Sequence, residues 1–245
     1  MIVLAGGKGT RIRGVLGEVP KLLAPLDGQP YLQHLLAWLY PAGFRHVQFA
    51  LGYQAHAIET ALQQLSKPAD LTLDAVIEAE PLGTAGAIRL AMQALPSGTP
   101  LAIMNGDSYT DADLAHFYAQ HRRSGASISM LCVEVEDISR YGQVVLNDQN
   151  RVVQFAEKNP HAKGHSGLIN AGLYILEPQA RQLLADSLGS SIEHDFFTTL
   201  PEHAIHGVPI SAPFIDFGTP ESYQVAQTFF AQRQPQLARY MEIAP

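Results

Sequence analysis

The sequence has a single cysteine, few basic residues and no long apolar run. That cysteine, Cys132, is one of 245 residues, so an internal disulfide is excluded. Because Cys132 lies within the apolar stretch ASISMLCVEVE, we expect it to be a buried core residue and not a reactive thiol. Lysine and arginine number 16 against 23 acidic residues, a formal net charge of -7. An acidic surface does not attract nucleic acids or anionic membranes, so we expect neither as a partner, and any anion site must be a local cluster.

Membrane and secretion signals are also lacking. No apolar stretch approaches the roughly 20 residues of a membrane-spanning helix. No basic stretch followed by a long apolar run precedes the first glycines. We therefore expect a cytoplasmic location. The hydrophobic fraction of 47% is enough to bury a full core.

Short apolar stretches alternate with helical patterns in the first half of the chain. This alternation predicts an α/β fold with a Rossmann-like, doubly wound, mostly parallel sheet, whose ligands bind beyond the carboxyl ends of the strands. The predicted strands are 1–5, 46–51, 71–77 and 100–105. The predicted helices contain the leucines at 32, 35, 36 and 39 and the stretches 55–65, 86–95 and 111–123.

After about residue 124, strand patterns follow one another directly. They predict a smaller mixed or antiparallel portion, followed by helices near 178–187 and 220–233. Thr219 as a cap and Pro220 in the first turn predict the start of the last helix. No linker or repeat is found, so we predict one domain, 1–245, with halves 1–124 and 125–245.

The stretch LAGGKGTRIRG at 4–14 follows the first predicted strand. Its spacing matches neither G-x-x-x-x-G-K-[ST] nor G-x-G-x-x-G, which excludes a P-loop and a plain Rossmann fingerprint. Glycines let backbone amides approach an anion or a flat base, although glycines alone would also suit a tight strand-to-helix turn. Thr10 adds a hydroxyl, Arg11 a planar fork and Lys21 a compact charge. Together these groups suit a nucleoside triphosphate.

This stretch, with the following Pro20-Lys21, resembles the signature of the sugar-phosphate nucleotidyltransferases. The chain departs from many relatives at Leu22, where they carry proline. Other segments resemble family segments in family order and cover nearly the whole chain: EAEPLGTAGA (78–87), NGD (105–107), RYGQV (140–144), FAEK (155–158), INAGLYIL (169–176) and DFGTPESY (216–223). Within the family, SRYGQVVL and SGLINAGLYIL are most similar to the D-glycero-D-manno-heptose 1-phosphate guanylyltransferases.

The resemblance implies that a sugar 1-phosphate oxygen attacks the α-phosphorus of a nucleoside triphosphate and expels pyrophosphate. A phosphate with a second pKa of about 6 needs no general base, so catalysis consists of holding two anions in line and neutralising charge. The implied catalytic residues are Arg11, Lys21, Asp107 and Asp216. The implied nucleotide-binding residues are Leu4, Ala5, Gly6, Gly7, Gly9, Thr10, Glu78, Glu80, Pro81, Gly83 and Thr84, in the half 1–124. The implied sugar-phosphate-binding residues are Gly142, Glu157, Lys158, Asn170 and Gly172, in the half 125–245.

Two aspartates suggest a metal. Asp107 follows the apolar strand LAIMN and Asp216 follows APFI, so each falls at a strand end where the two carboxylates could share one Mg2+. Neither has the histidine or cysteine neighbours that zinc prefers. The alternative for each is a turn or helix-cap role.

Base selection is predicted from EAEPLGTAGA. Guanine presents two adjacent N–H donors that a carboxylate can accept, whereas uracil and thymine flank one N–H with carbonyls. We therefore predict GTP as the nucleotide, read by Glu80 first and Glu78 second, although each could be a solvated charge. A mannose-1-phosphate guanylyltransferase, a uridylyltransferase and a non-catalytic nucleotide-sensing subunit stay open as alternatives, and so does a homo-oligomer.

Overall fold

The computed structural model describes residues 1–156 and 163–244. The strands are β1 (Ile2–Ala5), β2 (Pro25–Leu26), β3 (Gln29–Pro30), β4 (His46–Leu51), β5 (Thr72–Ile77), β6 (Leu101–Asn105), β7 (Ser108–Thr110), β8 (Ile128–Val135), β9 (Gln143–Leu146), β10 (Val152–Ala156), β11 (Gly167–Leu176), β12 (Ile205–Ile210) and β13 (Phe214–Asp216). The helices are α1 (Arg13–Leu16), α2 (Tyr31–Leu39), α3 (Ala55–Gln64), α4 (Gly83–Met92), α5 (Leu114–Ser124), α6 (Pro178–Asp186), α7 (Pro220–Ala231) and α8 (Gln234–Ile243). Short 3-10 turns occur at Lys21–Leu23, Ile138–Arg140 and Phe197–Thr199, and one π-helical turn at Ile192–Phe196.

Two compact units make up the chain. Unit 1 comprises Met1–Leu82, Asn105–Tyr109 and the residues from Ile215 onward, and unit 2 comprises Gly83–Met104 and Thr110–Phe214. These borders differ from the division at residue 124. The assignment of nucleotide binding to residues 1–124 and of sugar-phosphate binding to residues 125–245 stays a prediction.

Parallel strands form the sheet of unit 1. β1 pairs with β4, and β4 pairs with β5, both in parallel register. Parallel neighbours need a crossover, and α2 and α3 lie between these strands in the chain. Residues Val47–Leu51 of β4 are all buried, as expected for a strand covered on both faces.

Unit 2 has a mixed sheet with β11 as its hub. β11 is antiparallel to β6, β8 and β9, β10 is antiparallel to β9, and β12 is parallel to β8. The pairing of β11 with β8 shifts register between Asn170 and Tyr174, which marks a bulge there. The predicted α/β fold with a parallel sheet and a smaller mixed portion is therefore confirmed.

Some helix bounds were predicted wrongly. The predicted helix 220–233 ends at Ala231 and is followed by α8, which the sequence analysis missed. The backbone leaves the helical conformation at Arg233, and Pro235 then suits the first turn of a new helix. The helix predicted from 86 begins earlier, at Gly83, and the one predicted from 111 begins after Asp113, whose carboxylate accepts from His116 N.

The remaining expectations concern Cys132 and the membrane. Cys132 lies in β8 with no exposed surface, and burial raises the pKa of its thiol to about 12. Within residues 1–156 and 163–244, the helices are too short or too polar to span a bilayer.

Candidate active site

The glycine-rich stretch in unit 1 leaves β1 and lies close against two other segments. A Cβ on Gly6 would lie 2.6 Å from Glu78 Oε1, so a side chain at this position would displace that carboxylate. Gly9 has a φ of +58°, and a Cβ there would lie 3.5 Å from Lys21 Cε. Glycine at Gly9 therefore provides the left-handed backbone. The Lys21 side chain thus runs beside the glycine stretch.

Asp107 is placed next to the end of β1 by the glycine before it. Gly106 N donates to Leu4 O at 2.8 Å, and a Cβ on Gly106 would lie only 2.6 Å from the same oxygen. The Asp107 carboxylate then accepts from Lys21 Nζ at 2.8 Å. The lysine side chain is 17% exposed and the aspartate 41%, so this ion pair is partly shielded from water.

Gly218 marks the point at which three of the predicted catalytic side chains meet. A Cβ placed on Gly218 would lie 3.1 Å from Asp216 Oδ1, 3.4 Å from Arg11 Nη2 and 3.5 Å from Lys21 Nζ. Gly218 N also donates to Asp216 Oδ1 at 2.9 Å, which fixes the carboxylate. With the Lys21–Asp107 pair, all four predicted catalytic residues lie in one cluster of unit 1.

Tyr31, the first residue of α2, supports the backbone beside both aspartates. It is fully buried, and its hydroxyl donates to Ser108 O, the residue after Asp107, at 3.0 Å. Its ring meets the edge of Phe217, the residue after Asp216, at 4.7 Å between centroids. One buried side chain therefore helps position the two carboxylates through their neighbours.

This cluster suits an anion whose oxygens accept hydrogen bonds from Arg11 and Lys21. It holds two cationic heads and two carboxylates, and no group of three or more His, Cys, Asp or Glu side chains that could bind a metal occurs in the described parts of the chain. Two carboxylates are enough for a cation that also takes phosphate and water ligands.

The predicted base-reading segment falls in both units. Glu78, half-buried, lies beside Gly6, and its Oε2 accepts from Leu82 N at 2.9 Å. Glu80 is exposed. In unit 2, Gly83 has a φ of +71°, and Thr84 Oγ1 accepts from Ile192 N at 2.9 Å. The two glutamates thus differ: one is anchored at the glycine stretch and the other extends into solvent.

The predicted sugar residues described by the structure lie together in unit 2. Asn170 and Gly172 form the bulge of β11, where Asn170 Oδ1 accepts from Gly172 N at 2.9 Å and Gly172 has a φ of +72°. Gly142 directly precedes β9, whose Gln143 pairs with Ile169. The other two predicted residues, Glu157 and Lys158, lie outside the described residues.

Sequence reasoning missed two polar residues beside Asn170. Asn170 Nδ2 donates to Tyr174 OH and to Glu193 Oε1, each at 2.7 Å, and Tyr174 OH donates to the same Glu193 oxygen at 3.1 Å. Burial, followed by the charge of Glu193, raises the pKa of Tyr174 well above its usual value, so the tyrosine stays a donor. The segment SIEHDFF was visible in the sequence, but nothing in it indicated a contact with Asn170, 23 residues away.

Comparisons with known proteins identify the family. A family model described as nucleotidyl transferase matches residues 1–233. The D-glycero-alpha-D-manno-heptose 1-phosphate guanylyltransferase of Aneurinibacillus thermoaerophilus is 33% identical over 92% of this chain and 96% of that protein. A mannose-1-phosphate guanylyltransferase of Mycobacterium tuberculosis is also 33% identical over 91% of this chain, which spans 62% of that protein's length.

Solved structures give the same result. HddC from Yersinia pseudotuberculosis superposes with a TM-score of 0.80 and 31% identity, covering 94% of this chain and 98% of HddC. A second HddC structure, complexed with GMP-PN, gives the same values. This chain therefore belongs to the nucleotidyl transferase family.

Proposed function

We propose that this protein transfers GMP from GTP to a sugar 1-phosphate, with D-glycero-D-manno-heptose 1-phosphate as the acceptor. The heptose guanylyltransferase of Aneurinibacillus matches nearly its whole length to this chain. HddC, at 31% identity, has been solved with GMP-PN, a guanine nucleotide analogue. Both relatives support a guanine nucleotide as donor.

The observation that carries the proposal is the convergence of Arg11, Lys21 and Asp216 on Gly218. Two cationic side chains at one point can neutralise the charge that moves to pyrophosphate when the bond between the α- and β-phosphates breaks. The incoming sugar phosphate oxygen forms the new bond to the α-phosphorus. That oxygen is already ionised near neutral pH, so no side-chain base has to take a proton.

Lys21 is the residue that we expect beside the α-phosphate. Its ammonium group is paired with Asp107 at 2.8 Å, which keeps an otherwise mobile side chain oriented. A triphosphate oxygen competing for the same ammonium would need little reorganisation. Arg11, with its planar fork, would hold the phosphates on the leaving side.

Magnesium fits the donor set that Asp107 and Asp216 provide. Both are hard carboxylate ligands. Asp107 accepts from Lys21 Nζ, and Asp216 Oδ1 and Lys21 Nζ both lie close to Gly218. When bound there with phosphate and water ligands, Mg2+ would withdraw charge from the phosphate oxygens. The protein's own contribution is to hold the two carboxylates in place through Gly106, Gly218 and Tyr31.

Guanine selection would come from the carboxylates of the segment 78–81. Glu78 is the better placed of the two, because it lies against Gly6 and is already oriented by Leu82 N. Glu80 has the more accessible carboxylate. The proposal therefore keeps both glutamates as candidate readers of the guanine edge.

A pyrophosphate-release assay tests the function. The purified protein is given GTP, UTP, dTTP or CTP with heptose 1-phosphate or mannose 1-phosphate, and catalytic efficiencies are compared. We expect GTP with heptose 1-phosphate to give the highest efficiency. The mannose arm is included because a mycobacterial mannose-1-phosphate guanylyltransferase is equally identical to this chain.

Other outcomes would replace the proposal with a specific alternative. Higher efficiency with UTP would identify a uridylyltransferase, and higher efficiency with mannose 1-phosphate would change the acceptor. GTP binding without release of pyrophosphate from GTP, whichever sugar phosphate is supplied, would identify a nucleotide-sensing protein.

A further inference from the structure

We propose that Glu193 accepts a hydrogen bond from a hydroxyl of the acceptor sugar and so selects the sugar. This inference rests on the proposed function, since it names a specificity residue for the same reaction. The chemical class of its ligand is the hydroxyl-bearing ring of a sugar 1-phosphate.

Among the described residues, the carboxylate of Glu193 is held through one of its two oxygens. Oε1 accepts from Asn170 Nδ2 at 2.7 Å and from Tyr174 OH at 3.1 Å. Within residues 1–156 and 163–244, no hydrogen bond to Oε2 and no ion pair with Lys or Arg is present. The side chain is half-buried. A partly shielded carboxylate with one oxygen fixed, and the other without a partner among the described residues, is prepared to accept a donor, and a sugar hydroxyl is such a donor.

Asn170, in contrast, has little hydrogen-bonding capacity left. Both Nδ2 hydrogens are used, one by Tyr174 OH and one by Glu193 Oε1. Its Oδ1 already accepts from Gly172 N. Asn170 therefore acts as a positioning residue that orients Glu193, and Glu193 makes the direct hydrogen bond to the sugar.

The turn that carries Glu193 is fixed at its start. Ser191 Oγ accepts from His194 N at 3.1 Å. Asp195 Oδ2 accepts from Ser190 N and from Ser191 N, each at 2.8 Å. The turn continues into Phe197, whose ring stacks on Phe155 of β10, with centroids 6.2 Å apart. Glu193 is therefore presented from a rigid backbone, as a specificity residue needs to be.

The test compares wild type with Glu193→Gln in the pyrophosphate assay. Glutamine keeps an oxygen that can accept from Asn170 and Tyr174, but it replaces the free acceptor by an N–H donor. We expect the KM for heptose 1-phosphate or mannose 1-phosphate to rise about ten- to hundredfold, while the KM for GTP changes less than about twofold. Thermal unfolding of both proteins checks that the fold is kept.

Analogues of mannose 1-phosphate that each lack one hydroxyl show whether Glu193 contacts the sugar directly or only supports the surrounding structure. In wild type, removing the hydroxyl that Glu193 accepts should lower catalytic efficiency about tenfold or more, and in Glu193→Gln the same removal should have little effect. Tyr174→Phe is the matched control, because it removes one anchor and keeps the carboxylate. It should retain the wild-type pattern of analogue sensitivity.

The outcomes are distinguishable. If wild type is active and Glu193→Gln shows the same analogue pattern, Glu193 is only structural and the inference is overturned while the function stands. If wild type releases no pyrophosphate with any of the sugar phosphates, the proposed function and this inference both fail. If Glu193→Gln does not fold, Glu193→Asp is used, which keeps the charge and moves it; an unchanged analogue pattern in that variant also overturns the inference.

Discussion

Replacing Gly218 by alanine tests whether Arg11, Lys21 and Asp216 act on one reacting group. The new methyl would lie 3.1 Å from Asp216 Oδ1, 3.4 Å from Arg11 Nη2 and 3.5 Å from Lys21 Nζ. The shortest of these distances is tighter than about nine in ten real Cβ contacts, so the Asp216 carboxylate must move by a few tenths of an ångström. The methyl also occupies the space that the three polar heads share.

The expected effect is on turnover more than on folding. Gly218 does not have the left-handed φ that would exclude alanine, so we expect a stability change within about 1 kcal/mol. A displacement of about 1 Å at a reacting centre can cost about a hundredfold in rate, and a smaller shift proportionately less. We therefore expect kcat for pyrophosphate release to fall about ten- to hundredfold, with an almost unchanged melting temperature.

Gly14→Ala is the matched control. It lies in α1, three residues after Arg11, and a Cβ there would meet nothing within 4 Å. We expect wild-type kcat from this variant. Wild-type kcat from Gly218→Ala as well would refute the reasoning, because a reacting centre at Gly218 cannot accommodate a methyl without loss.

Three further predictions can be checked with the same protein. Asp107→Asn or Asp216→Asn should lower turnover about a hundredfold or more at saturating Mg2+, because a charged oxygen ligand is lost, and wild-type rates in both would reject the metal role. Glu78→Gln or Glu80→Gln should reduce the ratio of efficiencies for GTP and UTP about ten- to hundredfold, and unchanged ratios in both would remove these glutamates from base reading. Burial lowers the pKa of His34 in α2, so the stability that its neutral form gives above about pH 6.5 is lost as the pH falls. Urea unfolding should show that the free energy of unfolding decreases by up to about 1.4 kcal/mol per pH unit. This dependence on pH should be shallower in His34→Gln, and an equal slope in both proteins would contradict the prediction.

The sequence predicted the part of the site that lies in contiguous motifs. The glycine stretch, Asp107 and Asp216 each follow a strand, and the ends of strands can be read from where apolar runs stop. Arg11 and Lys21 could be assigned because they belong to a stretch that resembles the signature of the sugar-phosphate nucleotidyltransferases. Their meeting at Gly218 could not be read, since it depends on the three-dimensional path of segments distant in the sequence.

Side-chain pairing across long distances was the limit of prediction. Glu193 could not be placed beside the predicted sugar residues from the sequence, because its contact with Asn170 depends on the bulge in β11, and a bulge leaves no clear pattern in an apolar strand. Likewise, Tyr31 reads as an ordinary core residue of α2. Only the fold shows that its hydroxyl and ring lie beside the residues after the two aspartates.

The segment 190–195 has a consequence for how this enzyme could be re-engineered. Ser190 O accepts from Ala85 N and Ile192 N donates to Thr84 Oγ1, so the segment supports the predicted base-binding turn, while Glu193 of the same segment contacts Asn170. Residues in shared contact give non-additive mutational effects. Substitutions that displace the backbone of this segment should therefore change the donor preference as well as the acceptor range, whereas a side-chain change such as Glu193→Gln should leave GTP use nearly unchanged. Selections for a new sugar should then also measure GTP use, so that variants with a displaced backbone are detected.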